Sequence, residues 1–218
     1  MSTRTLLAVL AVALSALSAC GDARPATTGG TEPGASATRP AAEEINGWKL
    51  PTAVAKWTLM TNGDLLAMGK AGHYTDVAGM DMLRGVDGMP GSKDDGFDVY
   101  DALAAEKHRG DAESNSGNAA MRDVYARAEV HAAVYEYAGD PRRGVYVFRS
   151  SEPRMASGKG PAGCDKLFSG GGIRCTRMED GLQWTFLARV SDKGGPTAGE
   201  TREFINAFLA AQGSQPMQ

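Results

Sequence analysis

The sequence is poor in large aromatic residues, in histidine and in any surplus of one charge. Trp, Tyr and Phe together make up 7% of 218 residues, so few large anchors are available for a core. With 28 glycines and 10 prolines, the composition points to a turn-rich fold. A formal net charge of -3 with 22% charged residues provides no global field to gather nucleic acid, so no nucleic acid is expected as a partner. Only three histidines occur, His73, His108 and His131, with no HExxH pattern. No G-x-S-x-G elbow is present, and the glycine run in FSGGGIRC lacks the Lys-Ser/Thr pair of a phosphate loop. No apolar run reaches the roughly 20 residues a membrane-spanning helix requires.

The longest apolar stretch is N-terminal. Arg4 precedes Leu6 to Ala19, a run of apolar or small residues with the profile of a signal peptide. It leads directly into Leu17-Ser18-Ala19-Cys20. An ordinary A-x-A cleavage site wants small residues at both positions, and Leu17 occupies the farther one. Leu-Ser-Ala-Cys resembles the lipobox of bacterial lipoproteins. The resemblance implies cleavage before Cys20, a thioether from its sulfur to diacylglycerol, and attachment to the lipid bilayer on the extracytoplasmic face of the cell membrane. Two acyl chains suffice for stable anchoring, whereas one binds marginally. The alternatives are cleavage after Ala16-Leu17-Ser18 with free secretion, and an uncleaved anchor.

Gly21 to Glu44 follows with no apolar residue larger than Ala, too little to offset the entropy of ordering the chain. Residues 20–44 therefore read as a lipid-anchored flexible linker, with a reach on the order of 25 to 30 Å. A single extracytoplasmic domain is expected over 45–213, and a disordered tail over 214–218. Trp48 and Trp57 should pack on its core. No long element is evident from Asn62 to Gly91. Asp98 to Lys107 fits a short helix, and Arg109 to Asn118 has the makeup of an exposed loop.

The second half carries strand patterns. Glu129 to Tyr137 sets Val130, Ala132 and Val134 against His131, Ala133, Tyr135 and Tyr137; a hairpin to Val145–Phe148 follows across AGDPRRG. A second hairpin joins Ile173–Met178 to Leu182–Val190 through Glu179-Asp180-Gly181. Trp184, Phe186, Ala188 and Val190 would share its core face. Thr197 and Glu200 have capping-box spacing ahead of a helical stripe of Phe204, Ile205, Phe208 and Leu209. The expected class is α+β: an antiparallel sheet of about four or more strands with a C-terminal amphipathic helix on one face.

If Cys20 carries lipid, Cys164 and Cys175 remain as a pair in an oxidising compartment and are expected to form a disulfide. Closing a loop of this length would contribute roughly 3 kcal/mol by chain entropy. The alternatives are a catalytic thiol and a zinc site, but no C-x-x-C or suitably spaced His accompanies the pair. The run from Asp87 to Asp101 is acidic, yet its spacing is not that of a calcium loop; Asp beside a helix start explains it. No metal, no cofactor and no catalytic residue is therefore assigned. Arg142, Arg143, Arg149 and Arg154 make the strongest basic patch, either a solvated hairpin face or a contact for anionic headgroups or an acidic partner.

Together with the lipobox, the Leu50-Pro51 and Trp57 opening, the late Cys pair followed by Glu179-Asp180-Gly181 and the terminal helix resemble small uncharacterised lipoproteins of high-GC Gram-positive bacteria. That resemblance brings no active site. The functional expectation is an envelope component that binds an envelope protein or small ligand without catalysis. The alternatives are an envelope-acting hydrolase drawing on Asp94, Asp95, Asp98 or His131, and a structural or stress-related envelope protein. Mass spectrometry of the membrane form, without reduction, should find diacylglycerol on Cys20 and a linked Cys164–Cys175 peptide; an unmodified Cys20 or free thiols at 164 and 175 would remove the basis for this localisation.

Overall fold

A computed structural model describes residues 39–82, 84–156, 158–166, 171–191 and 193–217. The lipobox and most of the linker lie outside them. The chain opens with a separate hairpin, β1 (Ala42–Ile45) and β2 (Trp48–Pro51), followed by the short strands β3 (Ala53–Val54) and β4 (Trp57–Leu59). The helical part comprises α1 (Asn62–Lys70), a 3-10 segment (Tyr74–Gly79), α2 (Arg84–Asp87), α3 (Val99–Ser114) and α4 (Ala119–Tyr125). The remaining strands are β5 (Glu129–Tyr137), β6 (Asp140–Ser151), β7 (Lys159–Lys166), β8 (Gly172–Glu179) and β9 (Leu182–Arg189), and the last helix is α5 (Ala198–Ala211).

Seven strands form one sheet in the order β3-β4-β5-β6-β9-β8-β7, every neighbouring pair antiparallel. The class is α+β, as the strand patterns and terminal helix led one to expect. Because strand side chains alternate with period 2, each central strand feeds two cores. On one face Val145 and Val147 of β6, Ala133 and Tyr135 of β5, and Trp184 and Phe186 of β9 meet α5. On the other, Tyr146, Phe148, Ala132, Val134 and Leu187 meet α1, the 3-10 segment and α3. The alternation expected along β5 holds, α5 covers one face as expected, and helices from the first half of the domain cover part of the other.

Helix α5 is placed by its ends and its stripe. The Thr197 hydroxyl accepts from the Glu200 N–H while the Glu200 carboxylate accepts from the Thr197 N–H, closing the anticipated capping box. Phe208 is fully buried and packs edge-on against Trp48, Tyr135, Trp184 and Phe186 at centroid distances of 6.0, 5.8, 5.9 and 5.7 Å. Such aromatic pairs add about 0.5–1.5 kcal/mol each beyond their burial. Both buried indoles need acceptors, and the end of the chain supplies them: Trp48 donates to Gln212 at 2.9 Å and Trp184 to Ser214 at 3.1 Å.

These bonds correct the expectation of a disordered tail. Gln215 N–H also donates to Glu179, and Met217 is buried against the α5 core. Other boundaries shift too. Ordered structure already includes Arg39 to Glu44, ahead of the expected boundary at Ile45, because Ala41 and Pro40 accept from Thr52 and Arg39 donates to the Leu59 carbonyl. Main-chain pairing, not apolar side chains, orders this stretch. The loop expected over Arg109–Asn118 is helical as far as Ser114, its exposed face held by Arg109 bonded to both Glu106 and Glu113. Val190 lies one residue beyond β9 and is half-buried instead of in the core. The first hairpin turns at Ala138-Gly139, so β6 starts at Asp140 and a bulge absorbs the extra residues. Gly144 is required there: a Cβ would lie 2.2 Å from the Tyr135 carbonyl oxygen.

Two stability predictions follow from this packing. Phe208→Ala should cost about 3–5 kcal/mol in urea unfolding, the usual penalty for emptying an aromatic core position; a loss below about 1 kcal/mol would show that α5 is not a structural layer. The Glu200 carboxyl is held down to about 2, first by the Lys56 hydrogen bond and then by the Thr197 N–H and Tyr137 hydroxyl. A carboxyl with a lowered folded pKa stabilises in full above its ordinary value of 4.5 and loses that contribution as pH falls toward 2. Glu200→Gln should therefore flatten the fall of the melting temperature across that window, and an unchanged slope would show that Glu200 adds nothing to acid stability.

Candidate functional site

The helical layer is narrower than the sheet. It covers β4 to β6 and reaches Leu187 on β9, leaving the same face of β8 and β7 without a helix above it. A cleft of about 710 Å³ results. Its floor is Gln183, Thr185 and Leu187 of β9 with Thr176 and Met178 of β8. One wall is Lys107 and Asp111 of α3 with Tyr125 at the end of α4. The chain after the 3-10 segment contributes Met80, Asp81 and Met82, and the far rim is Gly163 and Asp165 of β7 with Arg174 of β8.

The polar groups are fixed by one another. The Tyr125 hydroxyl donates to the Gln183 amide oxygen at 3.1 Å, and the Gln183 amide nitrogen donates to the Thr185 hydroxyl at 3.4 Å. Burial, and then the negative charge of Asp111, push the Tyr125 phenol above its ordinary pKa, so it stays a donor at neutral pH. Lys107 is buried, paired with Asp111, and its ammonium lies 5.7 Å from the Phe148 ring centre. Asp165 pairs with Arg174 at 3.3 Å, and Asp81 with Arg84 at 3.5 Å. Each carboxylate of the cleft thus faces a cation, and the lining holds neither histidine nor cysteine. Such a site offers fixed hydrogen-bonding groups beside thioether and aliphatic surface. No nucleophile in it stands against a base.

None of the residues singled out for hydrolysis lies there. Asp98 N-caps α3, accepting from the Asp101 N–H at 3.0 Å, as its position before the helix suggests. Asp95 pairs with Lys70, which lowers its pKa, and Asp94 sits in a turn whose N–H bonds to the Gly91 carbonyl. His131 is on β5, 3.2 Å from Glu129 and 6.1 Å in ring distance from Trp48. Among the described residues His131 forms its hydrogen bond with Glu129 and none with the three aspartates. Among the described residues no three His, Cys, Asp or Glu side chains gather where they could hold a metal ion.

Cys164 and Cys175 form a disulfide directly across the β7–β8 pair, with Cα atoms 4.0 Å apart. Cys175 is buried in the α5-side core and Cys164 is exposed, so the bond lies on the sheet face away from the cleft while fastening the cleft's rim strand. Cys20 lies outside the described residues. The basic patch separates into parts. The Arg149 guanidinium stacks 5.2 Å from the Trp48 ring centre, Arg154 pairs with Glu152, and Arg142 and Arg143 share Asp140.

Sequence reading did not single out Lys107, Asp111, Tyr125, Gln183 or Thr185. The available signal is in β9, where Gln183 and Thr185 alternate with Trp184 and Phe186: a strand with an aromatic face and a polar face, both buried. The chain matches no protein-family model, no curated protein and no solved structure. Among the described residues no helix is long and apolar enough to cross a membrane.

Proposed function

We propose that this chain is a lipoprotein tethered to the outer face of the cell membrane through diacylglycerol on Cys20, and that its domain binds a small ligand in the cleft over β7 to β9 without catalysis. The lipobox supports the tether. The cleft supports the binding role: its volume of about 710 Å³ falls in the range of roughly 300–1,000 Å³ usual for small-molecule sites.

The lining favours an amphipathic ligand. Met80, Met82, Met178 and Leu187 offer adaptable apolar surface, while Gln183, Thr185 and Tyr125 are arranged to orient polar groups. A hydrolase would also use a polar cleft, but it needs a base within hydrogen-bond reach of a nucleophile or bound water, with a pKa matched to that task. Here the carboxylates are neutralised by Lys107, Arg174 and Arg84, which favours binding over bond cleavage.

Thr176 is half-buried on the floor, directly opposite Gly163 on β7, so a larger side chain there has room to rise into the cleft. Thr176→Trp suits a strand and fills the site. Titrated with the fluorescent amphiphile anilinonaphthalene sulfonate, the folded protein should show saturable binding that weakens more than about tenfold in Thr176→Trp with little change in melting temperature. Equal binding by both proteins would remove the cleft from this proposal.

A further inference from the structure

We propose a second site, independent of the large cleft, that takes a phosphate-bearing anion at the end of the sheet where β6 begins and β9 ends. A concavity of about 330 Å³ lies there, lined by Arg142 and Arg143 of β6, Arg189 at the end of β9, and Lys193 in the loop beyond it, with Asp140 as the one carboxylate among its described residues. Four cations from three segments, β6, the end of β9 and the loop after it, therefore line one concavity.

The four cations are not equally occupied. Asp140 accepts from Arg142 at 3.0 Å and lies 3.2 Å from the Arg143 Nε, and these two arginines hold its carboxyl below the usual range. Both guanidinium groups are thereby oriented while staying 68% and 47% exposed. Among the described residues Asp140 pairs with Arg142 and Arg143 and not with Arg189 or Lys193. Arg189 is also positioned: its stem lies against Gly79 of the 3-10 segment, where a Cβ would come within 2.5 Å of its Cδ. Gly79 has a φ of +62°, so both the backbone and the close approach favour glycine there.

Planar arginine forks match phosphate oxygens bidentately, and Lys193 adds a mobile point charge. Together they suit an anion carrying more than one negative oxygen. The chemistry is the same whether the phosphate belongs to a phospholipid headgroup or is free in solution. It differs from the linear patch read from the sequence, because Arg149 and Arg154 point to other partners and Arg189 and Lys193 take their place.

The test uses the mature chain from residue 20 onward, produced without residues 1–19 and carrying Cys20→Ser, so that neither a lipid anchor nor the apolar leader contributes to vesicle binding. Three proteins are compared: this parent, Arg189→Gln/Lys193→Gln, and Arg154→Gln as a control elsewhere on the surface. Each is sedimented with phosphatidylcholine vesicles containing phosphatidylglycerol and, separately, titrated calorimetrically with inorganic pyrophosphate. Basic residues near an anionic surface contribute roughly fivefold each, so the double substitution should weaken binding about twenty-five-fold and Arg154→Gln much less. Vesicle binding displaced by pyrophosphate identifies a headgroup as the source, whereas pyrophosphate binding without vesicle binding identifies a free phosphate; both support the site. The proposal is overturned if neither probe binds, if the double variant binds like the parent, or if Arg154→Gln weakens binding equally. Should the double substitution lower the urea midpoint, Lys193→Glu alone, on an exposed loop, decides the matter in the same assays.

Discussion

The pairing of β6 with β9 at the middle of the sheet is the interaction on which the other layers rest. Seven consecutive residue pairs, from Val145–Ala188 to Ser151–Leu182, fix the register. Because side chains alternate, a slip of one residue would exchange the two cores, placing Tyr146 and Phe148 under α5 and Val145 and Val147 under α3. That exchange would overfill one side and empty the other. The register is secured by volume on both faces, and the flanking strands inherit it through β5 and β8.

The two cores meet different needs. Under α5 the filling is aromatic, and two of its three tryptophan indoles find acceptors at the chain end, Trp48 donating to Gln212 and Trp184 to Ser214. The last residues are therefore part of the fold, although their composition is that of a frayed terminus. Under α3 the filling is more aliphatic, and two of its three phenols reach main chain, Tyr100 donating to the Met60 carbonyl at 2.5 Å and Tyr74 to the Ser92 carbonyl at 3.5 Å, while the buried Tyr146 hydroxyl has no hydrogen-bond partner among the described residues. Burial drives the Tyr100 phenol far above its ordinary pKa, which keeps it a donor throughout the physiological range.

What could be read from the sequence was whatever rests on local periodicity. The alternation in β5 and β9, the Asp180-Gly181 turn and the Thr197–Glu200 capping box all appear as expected, because neighbours in sequence determine them. Long-range or polar pairing leaves no such periodic mark. Strand β1 is built from Ala, Glu and Glu before Ile45 and shows no strand signal, yet Asn46-Gly47, both at positive φ, is a tight-turn dipeptide that could have announced the hairpin. Helix α1 has its own capping box from Thr61 and Asp64, another local signal passed over among the glycines. Strand β7 could not be read at all: Gly160, Pro161 and Gly163 disfavour a strand, and only its pairing to β8 and its disulfide make it one. The cleft was illegible for the same reason, since α3, α4 and β8 meet only in the folded chain.

The position of the cleft follows from this uneven layering. The helices on the β6 side arise from one stretch of chain between β4 and β5, so they are tethered to that half of the sheet and leave its far half bare. A bare sheet face must be polar or it becomes an aggregation surface, and Thr176, Gln183 and Thr185 meet that requirement. Strand β7 then needs another means of attachment, because its glycines and small side chains bury almost nothing. The disulfide supplies it by joining β7 to Cys175, which is itself embedded in the aromatic core under α5. The cysteines and the cleft thus lie on opposite faces of the same strands and are mechanically linked: the bond that anchors the rim is placed where it cannot obstruct the site.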